Sequence, residues 1–318
     1  MDKGNQQLLI KGISVVKFFS LILVTTFCMA SVEKTEVLIK DKVKNLLKTS
    51  TIKKITIFDE DDNGLFVEFY KTGNKKSLGE CKDYVENGKV SLFYSSGEVM
   101  REDIYKDGKL HGALKEYYKN GKARKIEGYS EGVKNGAVRY FDENGKVLKL
   151  ENYKEGNLSG IIREYYENGE WQSACEYKSG KLNGVCKNFY DNGKLKRRMH
   201  YINGKKFGES RSYYPDGTLK GIGHYMHDKL NGVSQTFDQK GNLIVESRFQ
   251  DNQMVGVTKE YYSDGRLKRK IGYSDDQVAN VSTDYYPNGA IKTEKLFELG
   301  ELKAVTQYDP EGNIILKN

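Results

Sequence analysis

His224 and His227, in the stretch "HYMHD", have the side chains to hold a metal ion between them. Three residues apart in an extended chain, however, they point to opposite faces of a strand, so no metal role is expected. Cys81, Cys175 and Cys186 lack the paired CxxC spacing of a zinc site. As an odd, sparse set they form no disulfide framework and are expected as small, half-buried side chains. Serine, histidine and aspartate are all present, but without a GxSxG nucleophile elbow. Glycine-bearing stretches such as "GKLHG" lack the GxxxxGK[ST] spacing of a phosphate loop. Carboxylates such as Glu116 and Glu164 would suit an enzyme acting on an anionic glycan or lipid, yet they recur at one position of a repeated unit, which marks them as architectural. No catalytic residue, metal or cofactor is expected. The chemistry that remains is electrostatic, for Lys and Arg outnumber Asp and Glu by 52 to 44.

The elements that position these charges follow from a repeat. Stepping by 24 residues from Gly64 lands on Gly88, Gly112, Gly136, Gly160, Gly184, Gly208, Gly232 and Gly256, then on Asn280. Counting that first residue as position 0, position 5 is aromatic in every copy: Phe69, Phe93, Tyr117, Phe141, Tyr165, Phe189, Tyr213, Phe237, Tyr261 and Tyr285. Position 6 is Tyr, or Asp in two copies, and position 9 is always Gly, usually after Asn or Asp. A second aromatic stands at position 17 in all but the first copy, where Cys81 replaces it. "QYDPEGNIILKN" is a partial eleventh copy.

Each copy reads as a β-hairpin, with a strand of about six residues, a turn such as "KNGK", a second strand and a turn such as "KDGK". Glycine at positive φ closes such turns cheaply, and Asp228, Asn252 and Asp276, which replace it in the second turn of three copies, tolerate the same conformation. One hairpin is unstable alone, whereas stacked hairpins share a row of aromatics and pair edge to edge. The abundance of Gly (33) and Tyr (23) with little Pro (3) or Trp (1) fits many short strands. Only 37% of residues are apolar, which is lean for two compact cores. The expected fold is all-β, an elongated single-layer antiparallel sheet of stacked hairpins over residues 64–318.

If the first turn pairs position 6 with position 10, position 3 lies opposite position 13, on the same face as the aromatic stack at position 5. Position 3 carries Lys115, Arg139, Arg163, Lys187, Arg211 and Lys259, and position 13 carries Arg101, Lys125, Lys149, Arg197 and Arg269. Four hairpins would then set like charges opposite one another: Lys115 with Lys125, Arg139 with Lys149, Lys187 with Arg197, and Lys259 with Arg269. Such pairs cost a few tenths of a kcal/mol each unless relieved. The stripe is either a solvated face or a binding surface for an anionic partner, namely an acidic protein, a cell-wall polymer or a phospholipid surface. Nucleic acid is not expected. The charge of +8 falls to +6 without residues 1–30, whose Lys3, Lys11 and Lys17 against Asp2 contribute +2, and no basic tail is present.

Lysines followed by the apolar run "FFSLILVTTFCMA" (Phe18 to Ala30) read as a secretory signal over residues 1–30, cleaved after Ala30. Thirteen residues are too short to span about 30 Å of hydrocarbon as a helix. A retained anchor and lipidation of Cys28 are the alternatives. The protein is therefore expected to be exported to the periplasm, envelope or medium. Residues 31–63 are expected to cap the array, with "VEKTEVLIKDKVKNLL" helical and "IKKITIF" a strand.

The copies "GALKEYYKNGKARKIEGYSEG", "GIIREYYENGE" and "GVTKEYYSDGRLKRKIGY" resemble the MORN-repeat variant of bacterial proteins often labelled YwqK-family antitoxins. The resemblance covers residues 64–318. It implies a non-enzymatic sheet used as a binding or scaffolding surface, or an antitoxin or immunity-type protein that covers a toxin.

Overall fold

Glycine builds the first turn of every copy. In the computed structural model, which describes residues 6–10, 52–58, 61–298 and 300–318, position 9 has positive φ throughout, from Gly73 (87°) to Gly289 (88°). In the third copy Gly121 N donates to Tyr118 O at 3.0 Å and Tyr118 N to Lys122 O at 2.9 Å, a type I turn closed by a glycine bulge. The second turn has positive φ at two successive residues, as at Glu131 (50°) and Gly132 (80°), which is the type I′ geometry that matches strand twist. Asp228 (73°), Asn252 (76°) and Asp276 (64°) adopt it in place of glycine, as their residue types imply. Their side-chain oxygens also accept from Lys206 N, Leu230 N and Met254 N at 2.8, 2.7 and 2.6 Å.

The fold is all-β, and the described residues contain no helix. Two units are distinguished: residues 1–147 with 153–156, and residues 148–152 with 157–318. Within each, hairpins follow in chain order and pair antiparallel with their sequence neighbours. The exception is Gln6–Ile10, which runs parallel to Ile52–Phe58. That second strand is the expected "IKKITIF", and it pairs antiparallel with Asn63–Phe69. The apolar run of the signal and the stretch expected to be helical lie outside the described residues.

Within each hairpin, register departs from simple pairing at one place, and a second shift follows position 15 on the way to the next copy, as between Cys175 and Tyr177. Beside the turn, position 6 pairs with 10 and 5 with 11, but the next pair is 4 with 13, because position 12 bulges: Tyr117 faces Ala123 whereas Glu116 faces Lys125. The same one-residue shift recurs in the other full copies whose two strands lie in one unit, for example between Glu164 and Tyr165 and between Glu260 and Tyr261. Beyond it, position 2 faces position 15 in its own copy, and position 15 faces position 2 of the next, as Cys175 faces Cys186. These two positions form the buried line, with Leu114 3% and Val138 0% exposed. Further along, small hydroxyls take over at Ser210, Ser247, Thr258 and Ser282, and Thr258 Oγ1 donates to Ser247 Oγ at 3.1 Å.

A core this thin needs other bonds between copies. Each tyrosine at position 6 donates its hydroxyl to the carbonyl at position 5 of the next copy: Tyr70 to Phe93, Tyr94 to Tyr117, Tyr118 to Phe141, and likewise from Tyr166, Tyr190, Tyr214 and Tyr262, at 2.7–2.9 Å. Tyr286 does the same to Tyr308 of the partial copy. Asparagine at position 8 adds a second rung, as Asn120 Nδ2 donates to Glu143 O at 2.8 Å while its Oδ1 accepts from Lys122 N. Where aspartate stands at position 6, it folds onto its own turn instead, and Asp238 accepts from Lys240 N and Asn242 N. Each rung contributes on the order of 1 kcal/mol.

Cys175 and Cys186 face each other on adjacent strands and are joined by a disulfide, which corrects the expectation of unpaired thiols. Alternation with register, which CxxC spacing does not capture, is what brings them together. Cys81 is a buried free thiol, and burial pushes its pKa up.

Two outcomes are expected. Gly169 has φ 92°, so Gly169→Val should destabilise the array by about 1–3 kcal/mol, since a β-branched residue is strained there; melting beside Lys181→Gln as an exposed control reads this, and equal melting would refute the turn geometry. The Cys175–Cys186 link closes a separation of 11 residues, so its reduction should cost about 3 kcal/mol on the chain-entropy account. A melting temperature indifferent to reductant would count against it.

Candidate functional site

The bulge at position 12 decides where the charges go. A one-residue shift moves a side chain to the other face of a sheet, so position 13 joins positions 4 and 15 on one face while positions 3, 5, 11 and 14 occupy the other. The expected opposition of positions 3 and 13 is thereby overturned. Lys115 stands opposite Ile126, Lys187 opposite Arg198 and Lys259 opposite Lys270. Lys125 stands opposite Glu116, Arg197 opposite Asn188 and Arg269 opposite Glu260. In the remaining expected pair, Lys149 faces Glu164 in its unit and Arg139 faces Ile126 in the other.

On the face of positions 4, 13 and 15, cations meet acids. Arg101 Nε is 2.6 Å from Asp103, Lys125 Nζ is 2.9 Å from Glu127, and Lys149 Nζ is 2.9 Å from Glu151 and 3.2 Å from Glu164. Arg269 pairs with Asp284 and lies 3.8 Å from Glu260. The position-4 acids thus share a face with the position-13 cations. Asp103, 1% exposed, has its pKa raised by burial, with Arg101 opposing. For Glu127, burial acts upward as well, but Lys134 and Lys125 outweigh it and hold the carboxyl below its usual range. Tyr105 and Tyr129 line the same face at position 17.

The other face is less balanced. Its aromatic row is not a stack of position-5 rings alone, since position 11 of the intervening strand stands between them, as Trp171 does between Tyr165 and Phe189. Trp171 meets Phe189 edge-on at 5.8 Å, carries the Arg163 guanidinium 5.5 Å from its ring centre and remains 44% exposed. In the earlier unit Tyr117 donates to Glu102 at 2.8 Å, and burial with this bond pushes its phenol up to about 12. Beside the aromatic row runs the row of positions 3 and 14. There Lys115 faces Glu102, Lys259 lies 4.0 Å from Glu246, and Arg211 binds Glu209 at 2.6 Å. Among the described residues, no carboxylate lies within 4.0 Å of Arg139, Lys187 or Arg198. Arg198 was not singled out from the sequence; the doubled arginine in "KLKRRMHY" is the signal that points to it once the bulge is known.

The histidines have local partners. His224 Nδ1 is 2.9 Å from Val233 O, where position-16 side chains such as Asn152 also cover the bulge before the next copy, and His227 stacks edge-on with Phe207 at 6.3 Å.

A family model described as "MORN repeat variant" matches residues 110–129, 134–155, 182–203, 208–227 and 254–275. No curated protein matches the chain. Among solved structures, "Crystal Structure of TcdB2-TccC3-Cdc42" is 13% identical at a TM-score of 0.19, covering 82% of this chain and 18% of that one. "Structure of Photorhabdus luminescens Tc holotoxin pore, Mutation TccC3-D651A" is likewise 13% identical at a TM-score of 0.16, covering 82% and 17%. The chain spans less than a fifth of those chains' length, and likenesses at these scores carry no argument.

The depressed pKa of Glu127 gives a test of the paired face. Its stabilising contribution is complete above the unfolded value near 4.5 and is lost as pH falls through the lower folded value. Glu127→Gln should therefore cost roughly 1.5–3 kcal/mol at pH 7, and the gap from the parent should close towards pH 3. Denaturant melts at both pH values read this; a gap independent of pH would show that the ion pairs are idle.

Proposed function

We propose that the chain is an exported, non-catalytic repeat scaffold that holds an anionic macromolecular partner against the face bearing the position-3 cations. One observation carries this reading: the register sorts the cations, giving acids to Arg101, Lys125, Lys149 and Arg269 at position 13, though not to Arg197, while Arg139 in one unit and Lys187 in the other lie on the opposite face of their own hairpins with no carboxylate within 4.0 Å among the described residues. Folding alone does not ask for unrelieved cations in file along a sheet. Export is supported by the basic and apolar N-terminal sequence and by the Cys175–Cys186 disulfide, a bond that persists in oxidising compartments. The non-catalytic reading is supported by the hairpin copies, which occupy residues 64–318 and leave no span there for a separate catalytic domain.

The test is affinity capture of envelope material by the mature chain across a salt series. Changing Lys115, Arg139, Arg163 and Lys187 together to Gln should weaken capture without lowering the melting temperature. Capture by the parent should also fall as salt shortens the screening length from about 10 Å at 0.1 M. Equal, salt-insensitive capture by both proteins would return this face to solvent.

A further inference from the structure

In the second unit the cations of the open face form a file across neighbouring strands that is interrupted once, at Ala174. Arg163 faces Ala174, Ala174 faces Lys187, Lys187 faces Arg198 and Arg198 faces Arg211. Five neighbouring strands thus carry four cations, at a spacing of about 4.8 Å per strand. Glu209 is the acid that tempers them: it binds Arg211, and that bond first, with His224 and Arg198 adding to it, outweighs burial and holds its carboxyl below the usual range. The gap in the file, at Ala174, lies on the strand that also presents Trp171 on the same face. The disulfide crosslinks this strand to the one bearing Lys187, from the opposite face.

We propose that the file Arg163, Lys187, Arg198 and Arg211, with Trp171 beside it, is a binding site for a linear acidic polysaccharide. The proposal rests on the scaffold reading above and names its partner. A uronate chain carries carboxylates at regular intervals along a line, and guanidinium and ammonium groups in file meet them with charge-assisted bonds, bidentate at arginine. The carbon-bound hydrogens on one side of a pyranose ring make an apolar surface that suits an exposed indole, and the notch at Ala174 gives the ring room. Single-stranded nucleic acid asks for several exposed rings on which successive bases stack. Here Tyr165, Phe189 and Tyr213 are half-buried, leaving Trp171 as the open ring of its row. An acidic protein would meet the cations but has no need of the ring.

Trp171 is the sole tryptophan of the chain, so its emission reports on this place alone. The experiment titrates the mature chain with oligogalacturonate, with dextran as the neutral control and with polyglutamate and oligo-deoxythymidylate as competing polyanions. Oligogalacturonate is expected to change the emission saturably, to bind at least about tenfold tighter than either competitor, and to weaken by about tenfold or more in the triple variant Lys187→Gln, Arg198→Gln, Arg211→Gln. Its affinity should fall between about 0.1 M and about 1 M salt, over which the screening length drops from about 10 Å to about 3 Å. Circular dichroism melts should show the variant folded as the parent is; an unfolded variant hands the test to Arg198→Gln alone, expected to weaken binding several-fold. Tighter binding of polyglutamate or of the oligonucleotide would overturn the polysaccharide while leaving an anionic partner in place. No saturable response to oligogalacturonate, or an undiminished one in the folded variant, would overturn the site, and partner capture by the scaffold would then stand or fall on its own test.

Discussion

A single extra residue after the first turn governs the chemistry of this protein. Because the strand period is two, the bulge at position 12 sends position 13 to the face of positions 4 and 15 and away from position 3. On one face this yields carboxylate and cation pairs such as Lys149 between Glu151 and Glu164; on the other it leaves Lys187, Arg198 and Arg211 in file. Without the bulge, the first face would lose its neutralising cations and the second would set like charges opposite one another.

The same register explains how so thin a core suffices. Most buried residues of the copies lie on one line through positions 2 and 15, apolar at Leu114 and Ile162 and reduced to hydroxyls at Ser247 and Thr258. Apolar burial at such a line cannot by itself offset the cost of ordering 24 residues per copy. Hydrogen bonds across copies make up the difference at both edges. The tyrosine and asparagine rungs fasten the edge with the first turn, and bonds from the second turn, such as Gly132 N to Leu110 O at 2.8 Å, fasten the other. Each of these bonds joins one copy to the next, and it is the interfaces between copies that make a stack of individually unstable hairpins stable.

Architecture was legible in the sequence because the turn residues and the 24-residue frame state it outright. Gly at position 9 and Asp228, Asn252 and Asp276 in the second turn sit at the positive φ their types imply. The faces were not legible. "KNGK" specifies the pairing of positions 6 and 10 correctly, but nothing in the residues at positions 11 to 13 announces that one of them stands outside the ladder, and all inferences beyond it were off by one. The disulfide was missed for a related reason. Cys175 and Cys186 are 11 apart, a distance that means little until position 15 is known to face position 2 of the next copy. The role of the tyrosine at position 6 was hidden as well, since an exposed ring and a hydroxyl aimed at a carbonyl 23 residues away read alike in a linear pattern.

That separation of 23 residues sets a rule for how such a chain can change length. Removing one residue between Tyr190 and Tyr213 would carry the carbonyl of Tyr213 out of reach of the hydroxyl and turn a strand's two faces inside out. Removing a whole copy would hand Tyr190 the corresponding carbonyl of the copy after, with every face intact. Duplication and loss of entire copies are therefore the cheap mutations and small insertions the expensive ones. On this geometry such an array changes length most cheaply in integer steps, and each step sets how many strands the sheet carries.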